Sequence, residues 1–222
     1  MPVIVDNLIR SSRKTIALII QRDGTLTVRA PLRMSESRIR AFVETHTDWI
    51  IKNKTKIRTA VPLSPKRYAE DETFLFLGQS YPLKIVPRQR LRLDFDGHTF
   101  KIAKSALPIA EEVFKKWYKK QAALLLSERV HIQVKKHGFR YQRIRISSAR
   151  TRWGSCSSTG ALSFTYRLMM TPLDVVDYVV VHELVHTQVK NHSKIFWSRV
   201  GEILPDYKTH LAWLKKNGRY LM

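Results

Sequence analysis

The sequence is short of cysteine and of long apolar runs, and each shortage excludes a class of protein. The single cysteine, Cys156, excludes an internal disulfide and favours a reducing, cytoplasmic location. No apolar run approaches the roughly 20 residues that span a bilayer, so no membrane partner is expected. Residues 1–7 contain no basic stretch that leads into an apolar one, so no signal peptide is expected. A glycine-rich phosphate-binding loop is also missing from the sequence.

Acidic residues are few as well, so the chain is strongly basic. The 222 residues include 40 Lys and Arg but only 18 Asp and Glu, which gives a net charge of +22. The excess is +10 in residues 1–107 (20 minus 10) and +12 in residues 108–222 (20 minus 8). Such a charge attracts polyanions such as nucleic acid or nucleotides, although a solvated basic surface would show the same composition. The densest groups are Lys52, Lys54, Lys56 and Arg58; Lys115, Lys116, Lys119 and Lys120; and Lys135, Lys136, Arg140, Arg143 and Arg145.

The first half of the chain, residues 1–107, predicts a mainly β region with one helix. Hydrophobic residues make up 44% of the chain and aromatics 10%, which is typical of a globular protein of one or two domains. Arg22-Asp23-Gly24 is a hairpin turn signal, and Asp96-Gly97 is another. The expected strands cover 15–20, 26–30, 74–76, 81–86, 91–95 and 99–102. A helix is expected over about 35–56, and a domain boundary near 105–108.

The second half, residues 108–222, predicts an α+β domain. A long amphipathic helix is expected over about 109–136, ended by Gly138. Three short strands and three helices follow it. The strands are expected at 143–147, 150–155 and 161–169, and the last two helices at 193–204 and 205–216. The order of helix, small antiparallel sheet and three further helices makes a compact α+β unit.

One motif in this second half carries recognisable chemistry. His182-Glu183-Leu184-Val185-His186 places two imidazoles one helical turn apart, with Cβ atoms roughly 6 Å apart. That spacing suits two ligands of a tetrahedral zinc ion. Glu183 flanks the same face and can contact a water molecule without binding the metal itself. Three protein ligands would leave one coordination position open, as in catalytic zinc sites.

The residues around this motif strengthen the zinc interpretation. Thr171 is a candidate N-cap, Pro172 suits the first helical position, and Asp174 suits the positive end of the helix. The valine-rich sequence between Asp174 and the motif predicts a helix that is buried nearly all round. Burying two histidines and a glutamate there is costly without partners, and a metal ion would provide one. The alternative is a buried helix that contains these residues by chance.

Two residues compete for the third ligand position. His192 follows Asn191, which tolerates the left-handed turn that would end the helix and bring the chain back. Glu202 is the rival, because a carboxylate from a second helix can also bind zinc; its other interpretation is a solvated side chain. We favour His192.

Several segments of the second half resemble one family of enzymes. They occur in the same order as in the bacterial YgjP-like metal-dependent hydrolases, small zincin-type metallopeptidases of the YgjP/WLM group. The segments are Thr151-Arg152-Trp153-Gly154-Ser155-Cys156, the His182–His186 motif, Asn191-His192-Ser193, Phe196-Trp197 and Pro205-Asp206-Tyr207. The resemblance implies a zincin core in residues 108–222, with zinc held by His182, His186 and His192, and with Glu183 as the catalytic base.

Other residues of these segments are weaker candidates for the site. Tyr207, Arg152 and His210 could each stabilise an oxyanion, and each has an ordinary structural role as the alternative. Trp153 could line the cleft or belong to the core. Cys156 could bind zinc as a thiolate, but a buried free cysteine is the better interpretation.

The sequence therefore predicts a zinc-dependent hydrolase, and in particular a metallopeptidase that acts on peptide or protein substrates. A nucleotide pyrophosphohydrolase (NTP to NMP) is the alternative enzyme, since the basic surface would attract nucleotides. A third hypothesis is a basic nucleic-acid-associated module with a closed structural metal site.

Overall fold

The chain forms two units, residues 1–64 and residues 65–222, each with its own hydrophobic core. The computed structural model describes residues 3–21, 24–58 and 66–221. Within these residues the fold is mixed α+β, with six α-helices and three small sheets. None of the described helices is both long and apolar enough to cross a bilayer.

The first unit combines a three-stranded sheet with two helices. The strands are β1 (Asn7–Ser11), β2 (Ala17–Ile20) and β3 (Leu26–Pro31). The predicted hairpin is confirmed as the antiparallel pair β2–β3, although Arg22 and Asp23 of its turn lie outside the described residues. Strand β1, which the sequence did not indicate, pairs in parallel with the other side of β3. The central strand β3 therefore supplies most of the buried side chains of this unit.

The predicted helix over 35–56 is two helices, α1 (Glu36–Thr45) and α2 (Thr47–Arg58). Ser35 caps α1 because its hydroxyl accepts a hydrogen bond from the Arg38 N–H at 3.4 Å. The backbone leaves the helical conformation at His46 (φ −112°, ψ 15°). The Nδ1 atom of His46 lies 2.8 Å from the Phe42 carbonyl oxygen, one of the acceptors that a helix end leaves without an intrahelical partner.

The second unit begins with a four-stranded sheet in the order β4–β5–β7–β6. Its strands are β4 (Thr73–Phe76), β5 (Gln79–Val86), β6 (Leu93–Phe95) and β7 (Phe100–Ala103). Both predicted hairpins are confirmed as the antiparallel pairs β4–β5 and β6–β7. The long helix α3 (Ala110–His137) packs on this sheet, with the rings of Phe74 and Phe114 stacked at 4.1 Å. Since sheet and helix share one core, the division of the chain differs from the predicted boundary at 107/108.

Helix α3 ends at Gly138, which has φ 68° as a left-handed helix end requires. A second sheet follows, with the order β8–β10–β9. Its strands are β8 (Arg143–Ser147), β9 (Gly154–Cys156) and β10 (Ala161–Thr165). The prediction of an antiparallel sheet is confirmed for β9–β10 but wrong for β8, which pairs in parallel with β10.

The strands β9 and β10 are shorter than predicted because residues beside them have other bonds. Residues 166–170 form a short 3₁₀ helix. Within it, Arg167 is buried and donates to the carbonyl oxygens of Ser148 and Ala149, at 3.1 and 3.3 Å. These bonds hold the loop that precedes β9 away from the sheet ladder.

Three helices complete the chain: α4 (Leu173–Val185), α5 (Lys194–Ile203) and α6 (Tyr207–Asn217). Helix α4 is buried nearly all round, as its valines predicted. Its N-cap is Pro172, and the prediction of Thr171 as N-cap is wrong, because the Thr171 hydroxyl donates back to the Leu168 carbonyl oxygen at 2.9 Å. Arg129 of α3 forms a two-pronged ion pair with Asp177 of α4, which joins the two helices.

The turn between β4 and β5 contacts the start of α4. The Leu77 N–H donates to the Met169 carbonyl oxygen at 2.7 Å. Gly78 has φ 82°, and a Cβ atom there would lie 3.0 Å from the Cα atom of Pro172. Glycine is therefore needed at this turn both for its conformation and for its close approach to the helix.

Candidate metal centre

The three predicted histidine ligands meet at one point of the second unit. His182 and His186 project from the end of α4, and His192 lies in the connection to α5. The Nε2 atom of His192 is 3.0 Å from that of His182 and 3.2 Å from that of His186. Among the residues that the structure describes, no other group of three or more His, Cys, Asp or Glu side chains is arranged to hold an ion.

The end of α4 sets the orientation of His186. The helix stops at Val185, and the Val189 N–H still donates to the Val185 carbonyl oxygen at 2.9 Å. This turn places the Val189 carbonyl oxygen 3.0 Å from Nδ1 of His186. Because a carbonyl oxygen can only accept, Nδ1 carries the proton and Nε2 presents a lone pair to the other histidines. This is the tautomer in which Nε2 binds a metal ion.

Burial favours the neutral form of two of these imidazoles, those of His182 and His186. It lowers the pKa of His182 to about 3, with a further contribution from the neighbouring His186 and His192, and it also lowers the pKa of His186. Two tetrahedral bonds of about 2.05 Å would separate ligand nitrogens by about 3.3 Å, close to the distances between these Nε2 atoms. Three imidazole nitrogens at these separations fit a metal ion.

Aromatic rings from α5 enclose the histidines. Ser193 caps this helix by accepting from the Phe196 N–H at 3.4 Å, which fixes the helix start immediately after His192. The Phe196 ring lies 4.4 Å from that of His186, and the Trp197 ring stacks on His192 at 5.6 Å. The helix that follows His192 therefore restricts the directions its imidazole can take.

Glu183 lies beside the histidines in a confined space. Glu183 is only 6% exposed, and its side chain faces strand β9. Burial raises the pKa of Glu183 to about 8, and the positive charge of Arg152 opposes this shift. A Cβ atom on Gly154 would lie 2.5 Å from Oε1 of Glu183, so a larger residue at position 154 would require β9 or the Glu183 side chain to shift. The sequence placed Gly154 in a family segment but did not indicate this contact.

A cleft of 340 Å³ opens beside Glu183 and His182. Its other walls come from β9 and the residue before it, from the middle of α4 and from α6. The lining residues are Trp153, Gly154, Tyr178, Val179, His182, Glu183, Leu211, Leu214 and Lys215. Trp153 therefore lines the cleft, which was one of the two positions that the sequence allowed for it.

Tyr178 is a site residue that the sequence reasoning missed. It precedes His182 by four residues, so the two side chains share a face of α4, and their ring centroids are 5.8 Å apart. Burial raises the pKa of Tyr178 to about 12, with smaller contributions from Tyr207 and Glu183. Its hydroxyl forms no hydrogen bond with any described residue. The spacing of four from the first histidine is the signal that could have identified it.

The predicted oxyanion candidates occupy other positions. Tyr207 does not line the cleft, and its ring stacks on Trp197 at 5.4 Å. The Nε2 atom of His210 donates to the Asp206 carboxylate at 3.1 Å. Arg152 is exposed and acts on the site through its charge on Glu183.

The two alternative metal ligands also lie outside the histidine group. Glu202 is exposed and accepts hydrogen bonds from Arg199 at 2.9 Å and from Ser198 at 3.3 Å. Cys156 is half-buried, its thiol donates to the Ser157 carbonyl oxygen at 3.4 Å, and burial raises its pKa. A thiol held protonated in this way is a poor metal ligand.

Comparison with known proteins agrees with this geometry. The model of the YgjP-like metallopeptidase domain family matches residues 14–217. The chain belongs to the YgjP-like metallopeptidase family. Membership implies a metal-dependent hydrolase, and in this YgjP-like domain His182, His186 and His192 are the residues that could hold the ion.

Similarity to individual proteins is more limited. The crystal structure of the metallopeptidase zymogen of Pyrococcus abyssi abylysin is 18% identical to the YgjP-like chain and superposes with a TM-score of 0.39. The similar region covers 44% of this chain and 99% of that one. None of the curated proteins matches the sequence.

Proposed function

We propose that this protein is a zinc-dependent peptidase of the zincin type. The observation that carries the proposal is the convergence of three imidazole nitrogens beside a buried carboxylate that lines a cleft. Nitrogen donors of this kind favour zinc over magnesium or calcium, which prefer oxygen ligands. A zinc ion held by these histidines would polarise the scissile carbonyl group and lower the pKa of water.

Glu183 acts as the general base in this proposal. It accepts one proton from the attacking water as the water oxygen bonds to the carbonyl carbon, and it returns that proton to the leaving nitrogen as the C–N bond breaks. Burial against Gly154 holds the carboxylate in one place and raises its basicity, as the direction of its pKa shift indicates. A carboxylate that was exposed and free to rotate would transfer the proton less efficiently.

Strand β9 is the element that would align a peptide substrate. It pairs with β10 on one side, and its other edge has no partner strand among the described residues. An extended peptide could add to that edge through main-chain hydrogen bonds. Because Gly154 of β9 touches Glu183, a peptide bound there would have its backbone beside the general base. The apolar wall of α6, with Leu211 and Leu214, would then receive a side chain of the substrate.

The hydroxyl of Tyr178 is the hydrogen-bond donor that we assign to the carbonyl oxygen as it becomes negatively charged. Tyr178→Phe keeps the buried ring and removes only the donor, so kcat/KM for peptide cleavage should fall about 10²-fold with little change in thermal stability. Tyr207→Phe is the matched control and should retain most of the activity, because Tyr207 does not line the cleft. A larger loss in Tyr207→Phe than in Tyr178→Phe would reverse the assignment.

The metal content of purified variants tests the function itself. We expect about one zinc ion per wild-type chain, peptide cleavage that a chelator abolishes, and recovery of cleavage on addition of zinc. His192→Ala should lose most of the bound zinc, whereas Glu202→Gln should keep it, because Glu202 is bonded to Arg199 and Ser198 instead.

Parallel assays with a peptide library and with nucleoside triphosphates separate the competing functions. Cleaved peptides without release of pyrophosphate would support the proposal. Pyrophosphate release without peptide cleavage would replace it with a nucleotide hydrolase. Zinc that is bound by a closed set of four protein ligands, with neither activity, would leave only a structural role for the ion.

A further inference from the structure

A long part of the chain around the second sheet contains no acidic residue. Residues 129–173 include no Asp or Glu but contain nine basic side chains. These are Arg129, Lys135, Lys136, Arg140, Arg143, Arg145, Arg150, Arg152 and Arg167. Arg129 and Arg167 have internal bonds, to Asp177 and to backbone carbonyl oxygens, and the others are exposed. The positive charge of this region is therefore presented to the solvent.

The pleat of β8 directs two of these arginines to one face of the sheet. Ile144 and Ile146 pack against the core of the unit, while Arg143 and Arg145 alternate with them and are exposed. Their side chains therefore lie on the opposite face, roughly 7 Å apart along the strand. The strand pairing continues this face across the sheet, since Arg145 is paired with Ser163 and Ser163 with Ser155. The open face thus carries the small side chains of Ser163 and Ser155, with Arg143 and Arg145 along its β8 side.

These arginines also lack the carboxylate partners found elsewhere in the same unit. Lys84 pairs with Glu70 and Asp71, Lys101 pairs with Asp96, and Arg199 pairs with Glu202. In contrast, Arg140, Arg143, Arg145, Arg150 and Arg152 form neither an ion pair nor a hydrogen bond with any described residue. Their guanidinium groups remain available to an external anion.

We propose that this open face of the β8–β10–β9 sheet binds the phosphate backbone of nucleic acid. Arginine forks match phosphate oxygens in a bidentate geometry, and two forks spaced along a strand can hold successive phosphates. The small side chains of Ser163 and Ser155, beside Arg145 on β10 and β9, allow a nucleic-acid backbone to approach the sheet closely. The charged groups on this face are guanidinium groups, so the expected contact is to the phosphate backbone and independent of base sequence.

Fluorescence anisotropy with the full chain and labelled 20-nucleotide DNA, single-stranded and duplex, tests this surface over a range of salt concentrations. The variant Arg143→Gln/Arg145→Gln should bind duplex at least tenfold more weakly in low salt, and the slope of log affinity against log salt should fall by about 1.8. The control Lys115→Gln/Lys116→Gln removes the same charge from exposed positions of α3 and should bind nearly as the wild type does.

Equal losses in the two variants would show a non-specific effect of net charge and would overturn the proposal. Wild-type affinity in the arginine variant would do the same, as would binding to anionic phospholipid vesicles without any binding to DNA. None of these measurements depends on peptidase activity, so their outcome is separate from that of the proposed function.

Discussion

Glu183→Gln should lower kcat for peptide cleavage by about 10³-fold while zinc remains bound. The amide has nearly the shape of the carboxyl group, so it should fit against Gly154 without displacing strand β9. It cannot accept a proton from water, however, and this is the function that we assign to Glu183. The expected defect is therefore in the chemical step, and substrate affinity and metal content should change little.

Steady-state kinetics with a fluorogenic peptide, combined with metal analysis of the same preparation, measures this effect. Glu202→Gln makes the identical chemical change at an exposed position and should retain wild-type turnover. If Glu183→Gln remained as active as the wild type, another group would have to accept the proton, and the assignment of Glu183 as base would be wrong.

Gly154→Ala should lower the activity for peptide cleavage at least about 10²-fold. It should also lower the free energy of unfolding by about 1–3 kcal/mol. The added Cβ would lie 2.5 Å from Oε1 and 2.6 Å from Cγ of Glu183, closer than non-bonded atoms approach. Either β9 or the Glu183 side chain has to move. Both movements change the distance between the general base and a peptide bound along β9.

Gly201→Ala is the matched control because it adds the same methyl group where there is room. A Cβ at Gly201 would meet Tyr207 at 3.5 Å, an ordinary van der Waals contact. Since Gly201 lies within α5, alanine should leave activity intact and should raise stability by up to about 1 kcal/mol. Chemical denaturation measures both stabilities, and a fully active Gly154→Ala would show that β9 does not confine Glu183.

The parts of the fold that depend on local patterns could be predicted from the sequence. The valine-rich segment before His182 indicated a buried helix, and α4 is one. Gly138 indicated the end of α3, where it has a positive φ. The spacing of His182, His186 and His192 indicated a common site, and their Nε2 atoms do meet. In each case the signal lies within a few residues of chain.

The features that the sequence did not indicate depend on distant contacts. The parallel pairing of β8 with β10 joins two strands that β9 separates in the chain, so no single turn sequence sets it. The four-stranded sheet and α3 share a core because of contacts such as that between Phe74 and Phe114, which are 40 residues apart in the chain. The close approach at Gly154 involves Glu183, which belongs to another element. Propensities and periodicity carry no information about such pairs.

The contact between Gly78 and Pro172 has a consequence for how the histidines are held in place. Through this contact the β4–β5 turn packs against the first residues of α4 and restricts their position. The same helix carries His182 and His186 at its other end. If the four-stranded sheet shifted, helix α4 would move with it and would displace the imidazoles of His182 and His186. A fragment that keeps this contact therefore has to start before β4, whereas one that begins at α3 would hold α4 only through its contacts with the rest of the second unit, such as the Arg129–Asp177 ion pair.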